Sequence, residues 1–492
     1  MKIPNTEYQA RKSRTEFIPF SRPVRYPGER KRNKFRSTLS AIAATLLLSG
    51  ALPQVSTAAE GDLHQVGAAA VDITPDYPVR LSGYGSRRTA FDSVEQRIWA
   101  KALAIGEDDA PAILLTVDNC GISATMRAAV LKRLQAKVQI SNERFAIASS
   151  HTHSAPMIDG VLPNLFSTDI PAEHQASIRR YTADLTDRLV EVSLNALKNR
   201  KPAKLDWGIG EAGFGANRRT KGGPSDHDLP ALRVTSPKGK LRAALVSYAC
   251  HCTTLGGAFN RVCGDWAGYA QDEFQKDNPG VVFMVAIGCG ADQNPILRNA
   301  PNDGLDYAKQ HGKEISAKTK ALFASGKLTP LTSALDCKTA DTTLEFLPRT
   351  RAEWETRAKN ARANISYHAK KNLARLDRGE TLQASLPYMV QSWSFGDELA
   401  MVFLPGEVVV DYSLRLKREF DPRRIWVNAY ANDVPCYIPS ERILREGGYE
   451  GESSMVYYDR PNKFRPGLEE KIVAAVRQTV PKNLPIRNSR RR

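Results

Sequence analysis

The sequence predicts an α/β fold, a mixed β-sheet core with flanking helices in a single large domain, and three observations predict it. Six short runs of β-branched or apolar residues stop at polar, Gly-rich or His-rich turns. Between them lie segments with apolar residues every three or four positions, and strands alternating with helices indicate an α/β arrangement. With 42% hydrophobic and 25% charged residues, 33 Gly and 29 Pro in 492 positions, the composition excludes a disordered, collagenous or coiled-coil chain.

Residues 1–37 carry 11 Lys/Arg against Glu7, Glu16 and Glu29, and run into an uncharged apolar stretch, 37–52, closed by Pro53 and Ser56-Thr57-Ala58-Ala59. A basic n-region, a short h-region and a small-residue cleavage site make up an export signal, so 1–59 is expected to send the protein to the periplasm or the medium. The apolar run is shorter than the roughly 20 residues a span needs, and no later segment reaches that length, so the mature chain is expected to cross no membrane. Of the formal net charge of +17, residues 1–37 hold +8 and residues 487–492 hold +4, leaving +5 for the 449 between. A body so mildly basic gives no reason to expect nucleic acid as a partner.

The strand candidates follow in order. Run 112–117 ends at Asp118-Asn119-Cys120-Gly121, and 144–148 ends at Ser149-Ser150-His151-Thr152-His153. Run 241–248 leads to Cys250-His251-Cys252, and 281–287 to Gly288-Cys289-Gly290-Ala291-Asp292-Gln293-Asn294-Pro295. Run 399–404 stops at Pro405-Gly406-Glu407, and 424–430 leads through Asn432 and Asp433 to Tyr437. Helical periodicity marks 126–138, 178–197, a segment starting near 269 and, most clearly, 354–376, with Gly379 where a C-cap would sit. Reactive groups in such folds collect beyond the carboxyl ends of strands, so the site is expected there. Seven cysteines without a C-x-x-C pair exclude a zinc ribbon and allow at most three disulfides, none of which a domain of this size requires.

His151-Thr152-His153 is the sharpest local signal. In an extended segment residues i and i+2 point the same way, so both imidazoles can face one ion, or one can bind it while the other handles protons. Taken alone, the motif fits two hydrogen-bonded structural histidines better than a metal site. His251, at another strand end, changes that balance, and strand alternation is expected to turn Cys250 and Cys252 to the opposite face. Glu407 would add a carboxylate, and two His, a carboxylate and an open position suit a catalytic Zn²⁺ that activates water. The remaining histidines, His64, His174, His227, His311 and His368, are expected at the surface. Segment 288–295 lacks both a Lys-Ser/Thr ending and G-x-G-x-x-G, so its backbone N–H groups, with Gln293 and Asn294, are expected to orient a substrate carbonyl or oxyanion rather than a nucleotide. No G-x-S-x-G elbow is present.

Taken together, these segments resemble the neutral/alkaline non-lysosomal ceramidase family, specifically its catalytic N-terminal domain. The correspondence begins at Val66-Gly67 through Asp72-Ile73-Thr74-Pro75 and Leu81-Ser82-Gly83-Tyr84-Gly85, and continues through Ser150-His151-Thr152-His153-Ser154-Ala155-Pro156. Ala216-Asn217-Arg218-Arg219, Ala249-Cys250-His251-Cys252-Thr253, Gly264-Asp265 and Gly290-Ala291-Asp292-Gln293-Asn294-Pro295 follow. Leu404-Pro405-Gly406-Glu407, Cys436-Tyr437-Ile438-Pro439 and Gly448-Tyr449-Glu450-Gly451 complete a series in family order from about 66 to 455. The resemblance implies a zinc amidohydrolase, hydrolysing the N-acyl bond of ceramide or a related N-acyl amide by metal-activated water, in a catalytic domain over 60–480 followed by a basic tail, 481–492.

By motif position, His151, His251, Glu407 and Tyr437 match the family's ligands for one Zn²⁺ per chain. His153, Arg218 and Tyr449 match residues lining the reacting amide, and His153 is placed to shuttle a proton to the departing nitrogen. Two departures stand out. The family's Gly-Asp-Val-Ser-Pro-Asn segment carries a Ser proposed as catalytic, and Asn294 stands opposite it; Asn donates a hydrogen bond but is no nucleophile, which leaves the attack to water. The chain also stops short of the family's C-terminal β-sandwich. The expected partner is an N-acyl lipid or amide, with room for a peripheral contact at a membrane surface. A second class of function, suggested by the missing Ser, is a non-catalytic envelope protein that keeps the fold as a ligand-binding module.

Overall fold

In the computed structural model, which describes residues 63–300 and 302–484, all six strand candidates are strands, and they pair in parallel two by two. Ala112–Val117 lies beside Phe145–Ser149, Leu241–Tyr248 beside Val282–Ile287, and Leu399–Phe403 beside Ile425–Asn428. Parallel neighbours send their carboxyl ends the same way, and backbone bonds then knit the turns that follow. Ser149 N–H donates to Tyr430 O (3.1 Å), Ala429 N–H to Ile287 O (2.9 Å) and Ala291 N–H to Val408 O (3.1 Å). The expected export signal, 1–59, and most of the basic tail lie outside the described residues.

The first two pairs are the edges of a nine-stranded mixed sheet whose path between them runs through Asp228–Thr235, Lys201–Glu211, His64–Asp72 and Trp99–Ile105, with Thr329–Leu331 added beside Lys201–Glu211. The third pair belongs to a four-stranded sheet that begins with Leu335–Glu345 and Ser385–Phe395. Side chains sort by alternation. Ile113, Leu115 and Val117 enter the core shared with the flanking helices, whereas Ala112 and Leu114 enter a second core with Trp393, Met401, Phe403 and Trp426 of the smaller sheet. Strands buried on both faces read as unbroken apolar runs, which is why these were visible in the sequence.

Ala172–Lys198 packs on the His64–Asp72 and Trp99–Ile105 strands, Asp265–Asp277 on Val282–Ile287, and Leu468–Thr479 on the smaller sheet. The helix read at 126–138 is Ala124–Gln135, started by Ser123 Oγ, which accepts from Met126 N–H at 3.2 Å. The helix read as continuous over 354–376 is two, Arg351–Ala358 and Ala363–Asp377. Asn360 breaks it, because its side-chain oxygen takes the Arg362 N–H (2.9 Å) in place of a helical carbonyl. Gly379 ends the second helix at φ 77, as its position suggested.

The expectation of surface histidines fails. His311 and His368 are buried, the first stacked on Phe214 with ring centroids 4.3 Å apart, the second edge-on to Trp354 at 5.4 Å; His64, His174 and His227 are half-buried. An imidazole is a small aromatic with one donor, easily accommodated where a carbonyl or ring is at hand. All seven cysteines are buried and unpaired. Among the described residues no helix is long and apolar enough to cross a membrane.

Candidate active site

The donors come from turns, not from the strands themselves. His151 lies two residues beyond Phe145–Ser149 with φ 56, a left-handed conformation that costs a non-glycine residue free energy and tends to persist where function requires it. The two rings of His151-Thr152-His153 do converge, with their Nε2 atoms 3.1 Å apart, but through this turn and not through strand alternation. His251 likewise follows a turn in which Cys250 N–H bonds back to Tyr248 O (3.0 Å). Its own N–H donates to Gln293 O (3.0 Å), and Trp266 Nε1–H donates to its carbonyl (3.0 Å). Glu407 and Tyr437 are direct register partners in a two-residue parallel pair, Glu407–Val408 with Tyr437–Ile438.

Both buried imidazoles are aimed by their far nitrogens. His151 Nδ1 meets Cys120 O at 2.5 Å and His251 Nδ1 meets Gly290 O at 2.8 Å. A carbonyl only accepts, so each Nδ1 carries a proton and each Nε2 is turned inward, the arrangement that orients histidine ligands around a metal. There Glu407 Oε2 lies 3.3 Å from His151 Nε2 and 3.1 Å from His251 Nε2, and the Tyr437 hydroxyl lies 3.3 Å from His251 Nε2. Tyr458 donates its hydroxyl to Glu407 Oε1, while the buried Oε2 has no hydrogen-bond partner among the described residues.

Burial pushes the Glu407 carboxyl up, but His151 and His251 outweigh it and hold it well below the usual range. Burial opposes charge on His151 too, yet Glu407 and Cys120 drive that imidazole up to about 10; burial and the Arg218 guanidinium push His251 down to about 4. Burial, and then Glu407, keep the Tyr437 phenol protonated, with Arg218 working the other way. His151, His251 and Glu407 form a group with the ligand atoms of a metal site, and Cys120, unforeseen in the sequence, forms another with His151 and His153. The spacing fits a small divalent cation: ligand atoms at about 2.0–2.2 Å in a tetrahedron stand roughly 3.3–3.6 Å apart. Neither Cys250 nor Cys252 joins the group.

Over this cluster opens a pocket of about 640 Å³, lined by His153, Arg218, Asn294, Tyr437 and Tyr449 together with Gly83 and Tyr84. The structure therefore brings together His151, His153, Arg218, His251, Asn294, Glu407, Tyr437 and Tyr449. Arg218 donates from Nε to Glu450 Oε1 (2.7 Å) and from Nη2 to the Tyr437 hydroxyl (3.1 Å), its guanidinium 5.4 Å from the Tyr449 ring centroid. Asn294 pairs with Ala216 in a short antiparallel ladder, two residues before Arg218, and its Oδ1 accepts from Thr253 Oγ1 (3.3 Å).

The rest of segment 288–295 does not do what was expected of it. Gln293 is fully buried, donating to Ala249 O (2.6 Å) and accepting from Asp226 N–H (3.3 Å). The N–H groups of Gly290, Ala291 and Gln293 go to Gly288, Val408 and Gly290 carbonyls. Buried backbone donors need partners, and in this segment they find them within the protein, so of its members Asn294 alone reaches the pocket.

Sequence reasoning did not single out Gly83, Glu450 or Tyr458. A pair of adjacent arginines, Arg218-Arg219, was a signal for a carboxylate, and Glu450 serves both. Gly83 has φ 85, and a Cβ there would stand 2.4 Å from His153 Cγ. Nothing local in the sequence announces that contact.

A family model described as neutral/alkaline non-lysosomal ceramidase, N-terminal, matches residues 64–346. Neutral ceramidase from Pseudomonas aeruginosa is 25% identical over 300 residues, 56% of this chain and 43% of that protein. Neutral ceramidase A from Dictyostelium discoideum is 23% identical over 246 residues, 46% of this chain and 34% of that protein. The matches thus span less than half the length of these relatives. The crystal structure of neutral ceramidase from Pseudomonas aeruginosa superposes with a TM-score of 0.64 at 19% identity, covering 86% of this chain and 75% of that one, and so shares the fold.

Proposed function

The chain belongs to the neutral/alkaline non-lysosomal ceramidase family, and from that premise we propose that it is a zinc-dependent amidohydrolase cleaving the N-acyl bond of ceramide or a related N-acyl amide. The observation that carries the reading is the inward set of buried donors, His151 and His251 Nε2 with Glu407 Oε2, spaced 3.1–3.3 Å about an otherwise unsatisfied carboxylate oxygen. His151, His251, Glu407 and Tyr437 would hold one ion, and imidazole, carboxylate and phenol donors suit zinc. Bound there, zinc would supply Lewis acidity, polarising the amide carbonyl and making water nucleophilic at neutral pH.

This chain's own residues supply the rest. His153 lines the pocket with its Nε2 3.1 Å from that of His151, so its ring stands between the donor cluster and the substrate, where it would exchange a proton between water and the leaving nitrogen. Arg218, fixed by Glu450 and Tyr437, presents a rigid cation to the carbonyl oxygen as charge develops on it. Asn294 can donate to the substrate but cannot attack it, so water is the nucleophile in this reading. Export through residues 1–59 would place the reaction outside the cytoplasm, where an N-acyl lipid is met at a membrane surface.

Protein recovered from the periplasm or medium, lacking about its first 59 residues, is expected to contain one zinc per chain and to turn over a fluorogenic N-acyl sphingosine. A chelator should abolish turnover and added zinc restore it. Zinc-loaded protein that turns over no N-acyl amide would overturn the reading and leave a ligand-binding module. Gly83→Ala, which presses a methyl group into the His153 ring, is expected to lower kcat by about a hundredfold while zinc content stays at one per chain. An unchanged kcat would show that the position of His153 does not matter.

A further inference from the structure

The pocket over the donor cluster is lined by three arginines, Arg218, Arg219 and Arg298, and by one acid, Glu450. Glu450 is fully committed, Oε1 to Arg218 and Oε2 to Arg219. Arg298 has no ion pair or side-chain hydrogen bond among the described residues, although it is half-buried and its Nε is sealed from water without a partner. A guanidinium is always charged and offers five donors in a planar fork, so leaving one partly desolvated and unpaired costs free energy that a bound oxyanion would recover.

The surroundings of Arg298 specify more than charge. Among the described residues four large apolar side chains are exposed; one of them lines this pocket and two lie in the chain between residues that line it. Tyr449 lines it (43% exposed), while Ile296 (61%) and Leu297 (39%) sit in the loop between Asn294 and Arg298, both of which line it. An apolar chain and an anion would therefore find contact area side by side. We infer that Arg298 is a specificity-determining residue of this pocket, and that the preferred substrate is an anionic N-acyl amide, bearing a carboxylate or a phosphate close to the amide. The inference rests on the amidohydrolase reading and narrows it: a neutral amide would leave the Arg298 charge uncompensated, and discrimination follows from the buried polar group left unpaired.

Three amides with one acyl chain separate the alternatives: N-dodecanoylserine (carboxylate), N-dodecanoylserinol phosphate, and neutral N-dodecanoylserinol. In the wild type at least one anionic amide is expected to exceed the neutral one in kcat/KM by about tenfold, the effect of one charge-assisted hydrogen bond in a partly screened pocket. Which of the two does so identifies the oxyanion. Arg298→Gln should bring the ratio close to one, and Arg298→Lys, which keeps the charge, should retain most of it. A ratio near one in the wild type, or a ratio unchanged in Arg298→Gln, overturns the inference. If none of the three, nor the fluorogenic N-acyl sphingosine, is hydrolysed, the amidohydrolase reading falls by itself. Calorimetric affinities of the same amides for wild type and Arg298→Gln then decide the anion preference: a tenfold ratio lost in the variant upholds it, and equal affinities overturn it.

Discussion

Glu407→Ala is expected to lower N-acyl amide hydrolysis by at least about a thousandfold, several kcal/mol of charge stabilisation, and to strip the protein of its zinc. The reason is positional. Glu407 Oε2 lies within 3.1–3.3 Å of both inward Nε2 atoms, so the one carboxylate completes the donor set and neutralises the charge brought into a fully buried place. Alanine leaves two imidazoles without a counter-charge, and a divalent ion held by neutral donors in low dielectric is poorly stabilised. The fold should survive, because the Glu407 N–H bond to Cys436 O (2.9 Å) and the register with Tyr437 are made by the backbone. Kinetics, metal analysis and circular dichroism on one preparation check this together. Near-normal hydrolysis, or full zinc content, would remove Glu407 from the centre.

His153→Gln should separate proton handling from metal binding. Glutamine keeps the length and polarity of the side chain but cannot carry a proton from one atom to another. The variant is therefore expected to retain its zinc while kcat falls by about 10²–10⁴, the range of general acid–base catalysis. KM should change far less than kcat, because the remaining pocket residues, Arg218, Asn294 and Tyr449 among them, are untouched. The limb of the pH–rate profile that His153 contributes should disappear as well. Loss of zinc in this variant would make His153 a ligand, a role that its Nε2, 3.1 Å from that of His151, is close enough to fill; a kcat within a few-fold of wild type would take it out of the reaction.

The α/β class, the six strands and the residues that converge beyond their ends could be read from the amino-acid order alone. These were legible because the cause is local: a strand such as Ala112–Val117, buried on both faces, must be apolar throughout, so the polar residues that follow it mark its end. Gly379 was legible for the same reason, one residue in one backbone conformation.

How the donors meet is set by packing between segments far apart in the chain. Strand alternation suggested that His151 and His153 converge, but the convergence comes from a left-handed residue in a turn, held by the Cys120 carbonyl from another segment. Segment 288–295 departs from its reading as a row of substrate-facing donors, because Gln293 is spent on buried carbonyl and amide partners that no local rule reveals. That Glu407 stands opposite Tyr437, that Glu450 answers Arg218 and Arg219 and leaves Arg298 without an acid, and that Gly83 makes room for His153 are facts of packing between distant segments. A sequence states which groups can donate, accept or carry charge. Distances of about 3 Å between them arise from hydrogen-bond register and close packing among parts of the chain that share no local pattern.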